Sequence, residues 1–300
     1  MYEVTCHVLR LPYALGALAL CLALTSTAGW AQEGDTEQPQ ATAAEAAGEP
    51  TVTKIMPLGA SNTYGMYENL TSPGGYRGPL YDLLTAEGAR VDFVGLDSDG
   101  DIPNADHNGY PGRSIEWFTR PVNKTAEEDR DISWAIYSGN TPAVIHFIEQ
   151  AGMTEQDVIL LLVGTNNVRL GQAAETMLRE IEVLLHQIVT SEASPAVLLM
   201  KLTPVTNDDW PDDDETRTNN DTIDKFNEGL ERLVGETYAA QGVTLVDSAT
   251  TGDDRSPDGV HLNEGGYRKV AETFFEGLMG NGLVARGPAE ASPASAISSP

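Results

Sequence analysis

The chain has 300 residues, of which 41% are hydrophobic, and it carries a formal net charge of −27. That length and composition fit one globular domain with disordered ends. A surface this acidic repels phosphates, which excludes nucleic acid or an anionic membrane as a partner held by a basic patch. A neutral ligand, such as an ester or a polysaccharide, suits it better, and the same acidity would also suit a saline habitat.

Residues 1–31 have the pattern of a secretory signal peptide. Arg10 precedes an apolar run, 11–24, that is shorter than a typical transmembrane span, and Gly29-Trp30-Ala31 fits a small-x-small cleavage site. An uncleaved N-terminal anchor is the alternative. We expect a secreted or periplasmic protein that has no stable membrane association after cleavage.

Both cysteines, Cys6 and Cys21, lie inside this segment. The mature chain would then contain none, so it could form neither a disulfide framework nor a zinc–thiolate site. Its stability must come from a hydrophobic core, and the chain is long enough to build one.

Composition divides the rest of the chain into three parts. Residues 32–50 are rich in Gln, Glu, Ala and Thr and indicate a disordered linker. Residues 285–300 are rich in Ala, Ser and Pro and indicate a disordered tail. Residues 51–284 are the predicted folded domain.

Within that domain, short apolar runs alternate with helix-length segments. Near-continuous apolar strands separated by helices indicate a parallel sheet covered on both faces. We therefore predict an α/β fold of three layers, α/β/α, around a doubly wound, five-stranded parallel sheet in the flavodoxin-like order. No G-x-G-x-x-G motif or P-loop follows a strand, so no nucleotide cofactor is expected. The predicted strands are 52–58, 90–95, 157–163, 196–202 and 243–247, and the predicted helices are 76–87, 142–152, 172–191, 222–241 and 264–279.

Ser61 follows the first predicted strand. Gly59 ends the apolar run, so Ser61 lies at the carboxyl end of a strand, where ligands bind in parallel α/β sheets. A serine there can present its hydroxyl group, with backbone N–H groups nearby, to a carbonyl carbon. An ordinary turn serine is the alternative, and a nucleophile would need a base, an orienting carboxylate and oxyanion donors.

Asp258 and His261 follow the fifth predicted strand and precede the last helix. Histidine is the usual base for a serine hydroxyl, and a carboxylate fixes its tautomer. One tight turn can bring two residues that are three apart into contact. Because Ser61 and His261 both follow carboxyl ends of strands, we expect them to meet at one edge of the sheet.

Two other loops could supply oxyanion donors. Asn166 follows the third strand and could donate its side-chain N–H, although an Asn that caps a turn is common there. Gly112 lies in the segment after the second strand, where a glycine N–H can approach a substrate oxygen closely. An ordinary surface turn is the alternative for Gly112.

Four short blocks stand in order along the chain: Gly59-x-Ser61, Gly112, Gly164-x-Asn166 and Asp258-x-x-His261. Their order and spacing resemble the four blocks of the SGNH/GDSL hydrolases, and the resemblance covers about residues 52–280. Four further stretches are similar to the branch with secreted carbohydrate esterases of the acetylxylan-esterase type: Gly74-Gly75-Tyr76-Arg77, Val91-Asp92-Phe93-Val94-Gly95, Asp106 to Gly112 and His261 to Tyr267.

The resemblance implies a role for each matching residue. Ser61 would be the nucleophile, His261 the general base and Asp258 the residue that orients it. The oxyanion hole would consist of the Ser61 and Gly112 backbone N–H groups and the Asn166 side chain. The implied reaction proceeds through an acyl-enzyme and needs no metal or organic cofactor.

The chain departs from the family pattern at two positions. The family commonly has Asp before the serine and after the third-block Asn, whereas this chain has Ala60 and Asn167. Neither position carries the nucleophile, the base or the oxyanion hole. Loss of both carboxylates could alter loop rigidity or the pKa of His261, and the two changes could mark a weakened member of the family.

Several other residues have open roles. The acidic stretch 208–215 could bind calcium but lacks the spacing of a known calcium loop, so a solvated loop is preferred. His107 could line the cleft or lie at the surface, whereas His146 and His186 are expected to be packing or surface residues. Three aromatic residues near the site loops could stack on a sugar or pack in the core: Tyr64, Tyr110 and Trp117.

We therefore expect a secreted, monomeric serine esterase that removes short acyl groups, acetyl foremost, from a neutral carbohydrate. Its expected partner is an acylated carbohydrate or a small ester, and not nucleic acid. Two alternatives are a lipid or aryl esterase of the same fold and a carbohydrate-binding pseudoenzyme without catalytic activity.

Overall fold

A computed structural model describes residues 52–67, 74–123, 126, 129, 132, 140–206 and 213–285. The predicted signal peptide (1–31), the predicted linker (32–50) and residues 286–300 of the predicted tail lie outside the described residues.

In the described residues, seven strands form the sheet, and five of them are the predicted ones, each found within two residues of its predicted ends. The apolar runs are strands because their side chains are buried alternately on the two faces of the sheet. The strands are β1 Thr53–Gly59, β2 Val91–Phe93, β3 Asp97–Ser98, β4 Asp106–Gly109, β5 Val158–Leu162, β6 Ala196–Met200 and β7 Val243–Val246.

The five predicted strands pair in parallel in the order β2-β1-β5-β6-β7. This confirms the flavodoxin-like order. β2 pairs with the first three residues of β1, and β4 pairs with the last two. β4 is parallel to β1 and antiparallel to β3. Sequence patterning missed β3 and β4 because residues 97–109 contain no apolar run.

Eight α-helices occur in the described residues, and helices cover both faces of the sheet. On β5, Val158, Leu160 and Leu162 pack toward α2 and α8, whereas Ile159 and Leu161 pack toward the layer of α3, α4, α6 and α7. The three-layer α/β/α arrangement is therefore confirmed. The helices are α1 Ser61–Tyr64, α2 Arg77–Ala86, α3 Ile115–Thr119, α4 Ala143–Gln150, α5 Thr165–Arg169, α6 Ala174–Val189, α7 Asp213–Leu233 and α8 Glu264–Gly280.

Helix α7 begins nine residues before the predicted start at residue 222. The prediction followed apolar periodicity, which is absent from the polar residues 213–221. Apolar periodicity marks only the part of a helix that faces the core, so a polar extension leaves no such signal. The acidic stretch 208–215 is thus helical from Asp213 rather than a loop throughout, and residues 208–212 lie outside the described part.

No helix among the described residues is both long enough and apolar enough to cross a lipid bilayer.

Replacement of Gly59 by Ala tests the close contact at the end of β1. A Cβ at this position would lie 2.0 Å from the Leu162 carbonyl oxygen and 2.4 Å from Thr63 Oγ1. Because backbone cannot move aside cheaply, we expect Gly59→Ala to lower the free energy of unfolding by about 3 kcal/mol in urea denaturation. The control is Gly235→Ala, where a Cβ meets nothing within 4 Å. Equal losses of stability in the two variants would contradict this account.

Candidate active site

Three strands end side by side at the carboxyl edge of the sheet. Gly59, the last residue of β1, aligns with Gly109 at the end of β4 and with Leu162 at the end of β5. Ser61 and Asn166 lie in the short helices α1 and α5 that directly follow β1 and β5, and Gly112 lies in the loop that follows β4. The register therefore brings three of the predicted site segments together at this edge, as expected.

Ser61 begins the short helix α1 and has only 7% of its surface exposed. The helix lies directly against β4, since a Cβ on Gly109 would be 2.4 Å from the Tyr64 backbone nitrogen. Ala60 occupies the N-cap position and makes no side-chain hydrogen bond to the helix. The Asp that the family commonly has before the serine is therefore not replaced by another capping group.

His261 and Asp258 form the predicted pair. His261 Nδ1 lies 2.5 Å from Asp258 Oδ2, and the imidazole is 13% exposed. Asp258 Oδ1 accepts hydrogen bonds from the backbone N–H groups of Val260 and His261, both at 2.9 Å. Burial raises the pKa of the Asp258 carboxyl, but these hydrogen bonds outweigh burial and hold the pKa below its usual value. The ionised carboxylate can therefore keep the imidazole proton on Nδ1, which leaves Nε2 free to accept one.

Asn62 joins the serine segment to the histidine segment across 200 positions in the chain. Its Oδ1 accepts a hydrogen bond from the Leu262 backbone N–H at 3.3 Å. From α8, the Tyr267 hydroxyl group donates to the Met66 carbonyl oxygen at 2.5 Å. Sequence analysis did not assign a role to Asn62 or Tyr267, although they adjoin or belong to the blocks that resemble the family.

Arg255 fixes the loop that carries Asp258 and His261. The guanidinium is buried and donates to the Val260 carbonyl oxygen at 2.6 Å and to the Pro204 carbonyl oxygen at 2.8 Å. Burial lowers the pKa of Arg255 to about 10, and the group stays charged at neutral pH. The loop after β7 is thus tied to the loop after β6. An isolated Arg in a polar stretch gives no sequence signal for this contact.

Asn166 lies against the segment that contains Gly112. Its Nδ2 donates to the Arg113 carbonyl oxygen at 3.0 Å. An amide nitrogen carries two hydrogens, so this bond leaves one for another acceptor. Gly112 has a positive φ of 77°, and nothing lies within 4 Å of the position that a Cβ would occupy. A carbonyl oxygen can therefore approach this loop closely.

Asn167 explains one of the departures from the family pattern. Its Oδ1 accepts from the Ile115 N–H at 3.0 Å, and its Nδ2 donates to Gln172 Oε1 at 2.5 Å and to Glu180 Oε2 at 2.8 Å. An amide meets all three partners, whereas an Asp would set a carboxylate against the Glu180 carboxylate. The amide at 167 and the carboxylate at 180 therefore form a matched pair.

A cleft of about 360 Å³ adjoins these loops and is lined in part by Tyr64, Tyr110 and Arg113. Tyr110 is also packed against Phe147, with ring centroids 5.6 Å apart. Trp117 is buried and does not line the cleft, so core packing is its role rather than stacking on a ligand.

The structure also shows where His107, His146 and His186 lie. His107 is completely buried in β4, so the surface alternative is wrong. His146 is half-buried on α4 and His186 is exposed on α6, as expected for packing and surface residues. Among the described residues, no group of three or more His, Cys, Asp or Glu side chains could hold a metal ion.

Replacement of Asn167 by Asp tests the match with Glu180. We expect Asn167→Asp to lower the free energy of unfolding by about 2 kcal/mol at pH 7, because two carboxylates then face each other. Adding Glu180→Gln restores a donor opposite the new carboxylate and should recover most of the loss. The measurement is a double-mutant cycle in urea, and an equal loss from Asn167→Asp in both backgrounds would overturn the pairing.

The chain is similar in sequence to known acylhydrolases and esterases. The profile of the GDSL-like lipase/acylhydrolase family matches residues 58–269. A multidomain esterase of Ruminococcus flavefaciens is 27% identical over 248 residues, which are 80% of this chain and only 30% of that protein's length.

Solved structures show the same fold. A family 3 carbohydrate esterase of Clostridium thermocellum has a TM-score of 0.57 and 24% identity, covering 78% of this chain and 98% of that one. A family 3 carbohydrate esterase of Talaromyces cellulolyticus has a TM-score of 0.57 and 20% identity, covering 77% of this chain and 98% of that one. Since the family profile spans well over half of the chain and agrees with the four blocks, the chain belongs to the GDSL-like lipase/acylhydrolase family, a family of ester hydrolases.

Proposed function

We propose that this protein is an exported serine esterase that removes short acyl groups, acetyl foremost, from a neutral carbohydrate. The observation that carries the proposal is the His261–Asp258 pair, whose loop is hydrogen-bonded to the segment of Ser61 through Asn62 and Leu262. A base, its orienting carboxylate and a serine at a strand end are the groups that acyl transfer requires.

Acylation begins when His261 Nε2 takes the hydroxyl proton of Ser61 as Oγ attacks the ester carbonyl carbon. The charge that develops on the carbonyl oxygen is stabilised by the Ser61 and Gly112 backbone N–H groups and by Asn166 Nδ2. The tetrahedral intermediate then collapses, the C–O bond to the sugar breaks, and the sugar oxygen takes the proton from His261. Ser61 is left as the acyl ester.

Deacylation repeats these steps with water. His261 removes a proton from the water molecule, the oxygen attacks the acyl carbon, and the same donors stabilise the oxyanion. The carboxylic acid leaves as Ser61 Oγ recovers the proton. Asp258 keeps its charge throughout and stabilises the imidazolium that forms in each half.

A neutral carbohydrate is supported by charge and by comparison. The net charge of −27 disfavours polyanionic substrates. The structurally similar proteins from Clostridium thermocellum and Talaromyces cellulolyticus are named family 3 carbohydrate esterases. Export is supported by the signal-like pattern of residues 1–31.

Replacement of Ser61 by Ala tests the nucleophile. We expect Ser61→Ala to lower kcat roughly 10³-fold or more on both acetylated xylan and 4-nitrophenyl acetate, since the attacking oxygen is removed. The matched control is Ser191→Ala, which follows α6 at the opposite, amino edge of the sheet. Thermal unfolding of both variants verifies folding, and unchanged turnover in folded Ser61→Ala would refute the proposal.

Replacement of Asp258 by Asn tests the orienting carboxylate. Asp258 uses one oxygen for two backbone N–H groups and the other for His261 Nδ1. An amide has only one acceptor oxygen and no charge to stabilise the imidazolium, so we expect kcat to fall about 10²- to 10⁴-fold. The matched control is Asp253→Asn, another exposed aspartate five positions earlier. Equal kcat in the two variants, measured on 4-nitrophenyl acetate, would remove Asp258 from the mechanism.

A further inference from the structure

Gly112 lies in a turn whose first residue is bonded to the end of β1. The Tyr110 N–H donates to the Gly59 carbonyl oxygen at 2.8 Å, and the Arg113 N–H donates to the Tyr110 carbonyl oxygen at 3.3 Å. Pro111, followed by a glycine with a φ of 77°, fits a type II turn, which sets the direction of the Gly112 N–H group. The end of β1 therefore fixes the start of this turn.

Two adjacent asparagines on α5 hold the chain at the end of the turn. Asn166 Nδ2 donates to the Arg113 carbonyl oxygen at 3.0 Å. Asn167 Oδ1 accepts from the Ile115 N–H at 3.0 Å. Ile115 is the first residue of α3, and Ser114 at the N-cap makes no side-chain hydrogen bond to that helix, so the Asn167 amide oxygen satisfies an N–H group at its start. The turn and Asn166 are thus held relative to each other by two hydrogen bonds.

Glu180 determines the direction in which the Asn167 amide points. Asn167 Nδ2 donates to Glu180 Oε2 at 2.8 Å and to Gln172 Oε1 at 2.5 Å. Gln172 Nε2 donates to the other carboxylate oxygen, Glu180 Oε1, at 2.5 Å. A carboxylate only accepts hydrogen bonds, so the amide nitrogen of Asn167 must face Glu180. This leaves Oδ1 directed at the Ile115 N–H.

An Asn at position 167 needs such a partner, whereas an Asp does not. The Asp that the family commonly has here would accept the Ile115 N–H with either oxygen. An amide has one acceptor atom and therefore two unlike orientations, of which only one serves Ile115. In the reversed orientation, Nδ2 would face a second donor and both would lose their hydrogen bonds.

The carboxylate of Glu180 is carried by a well-anchored helix. Glu180 is half-buried near the middle of the 16-residue helix α6, and the next residue, Ile181, is completely buried in the core. The same helix holds the far end of α3, since Gln187 Nε2 donates to the Thr119 carbonyl oxygen at 3.1 Å. Glu180 therefore acts on Asn167 from a fixed position.

We propose that Glu180 is a positioning residue of the oxyanion hole. It orients Asn167, and Asn167 holds the turn that presents the Gly112 N–H beside Asn166. The inference rests on the proposed function, because Gly112 and Asn166 are oxyanion donors only in that reaction. Glu180 takes no part in proton transfer and acts only through Asn167. It lies outside the four blocks that resemble the family.

Replacement of Glu180 by Lys tests this role, because an ammonium group only donates where the carboxylate only accepts. The Asn167 amide would then turn its oxygen toward the new side chain and its nitrogen toward the Ile115 N–H. We expect kcat and kcat/KM on 4-nitrophenyl acetate to fall together by roughly tenfold or more, with KM changed less than twofold, since oxyanion stabilisation belongs to the transition state. Glu180→Gln keeps one acceptor oxygen and should cause a smaller fall of about threefold.

A second substitution should rescue the first. In Asn167→Asp/Glu180→Lys the new carboxylate accepts from both the ammonium group and the Ile115 N–H, so we expect kcat to return to within about threefold of the parent. Each variant is assayed at a temperature where circular dichroism shows it fully folded, so that a loss of stability alone leaves kcat unchanged. If Glu180→Lys does not fold, Glu180→Gln and Asn167→Asp/Glu180→Gln give the same comparison.

The matched control is Glu182→Lys, which makes the same change of charge on an exposed side chain two positions further along α6. We expect its kcat to stay within about twofold of the parent. Equal kcat in Glu180→Lys and Glu182→Lys overturns the positioning role. A raised KM with unchanged kcat, or a fall in kcat that Asn167→Asp does not repair, also overturns it.

Ser61→Ala keeps this inference distinct from the proposed function. Turnover that depends on Ser61 but is unaffected by Glu180→Lys would refute the positioning role alone. Turnover that survives Ser61→Ala, yet falls in Glu180→Lys and is restored by Asn167→Asp, would support the positioning role and refute the proposed nucleophile.

Discussion

The close approach of three strands at Gly59 is the constraint on which the candidate site depends. The Leu162 carbonyl oxygen of β5 occupies the space of a Cβ, and the Tyr110 N–H beyond β4 donates to the Gly59 carbonyl oxygen at 2.8 Å. Only a residue without a side chain leaves room for the Leu162 carbonyl oxygen, whereas the Tyr110 bond uses the backbone carbonyl that any residue has. Because the strand ends are held together, the short helices that carry Ser61 and Asn166 start from fixed positions.

Hydrogen bonds made by two side-chain amides and one guanidinium group then join the segments that carry the site residues. Asn62 binds the loop of His261, Asn166 binds the segment of Gly112, and Arg255 binds the loop after β6. Each contact joins segments that are far apart in sequence. A site held from several strands can keep donors in place while the reaction proceeds, which is the condition for electrostatic stabilisation of an oxyanion.

The five apolar strands and their order could be predicted from the sequence, because strands that are buried on both faces form near-continuous apolar runs. The sequence also predicted that Ser61 and the Asp258–His261 pair lie at one edge of the sheet. It could not reveal β4, whose residues are polar, or the buried role of His107, which depends on neighbours in space. From the sequence alone, Asn167 looked like the loss of the carboxylate that the family commonly has at this position. The structure shows that the amide donates a hydrogen bond to Glu180. Long-range partners of this kind leave no periodicity and no spacing to detect.

The central claim is that Ser61 is a nucleophile and that the oxyanion of its tetrahedral intermediate lies among three donors. A crystal structure of the protein after reaction with a serine-directed fluorophosphonate would test it most directly. The account predicts phosphorus bonded to Ser61 Oγ, with the phosphoryl oxygen roughly 3 Å from the Ser61 and Gly112 backbone nitrogens and from Asn166 Nδ2. An unlabelled Ser61, or a phosphoryl oxygen directed away from Gly112 and Asn166, would contradict it.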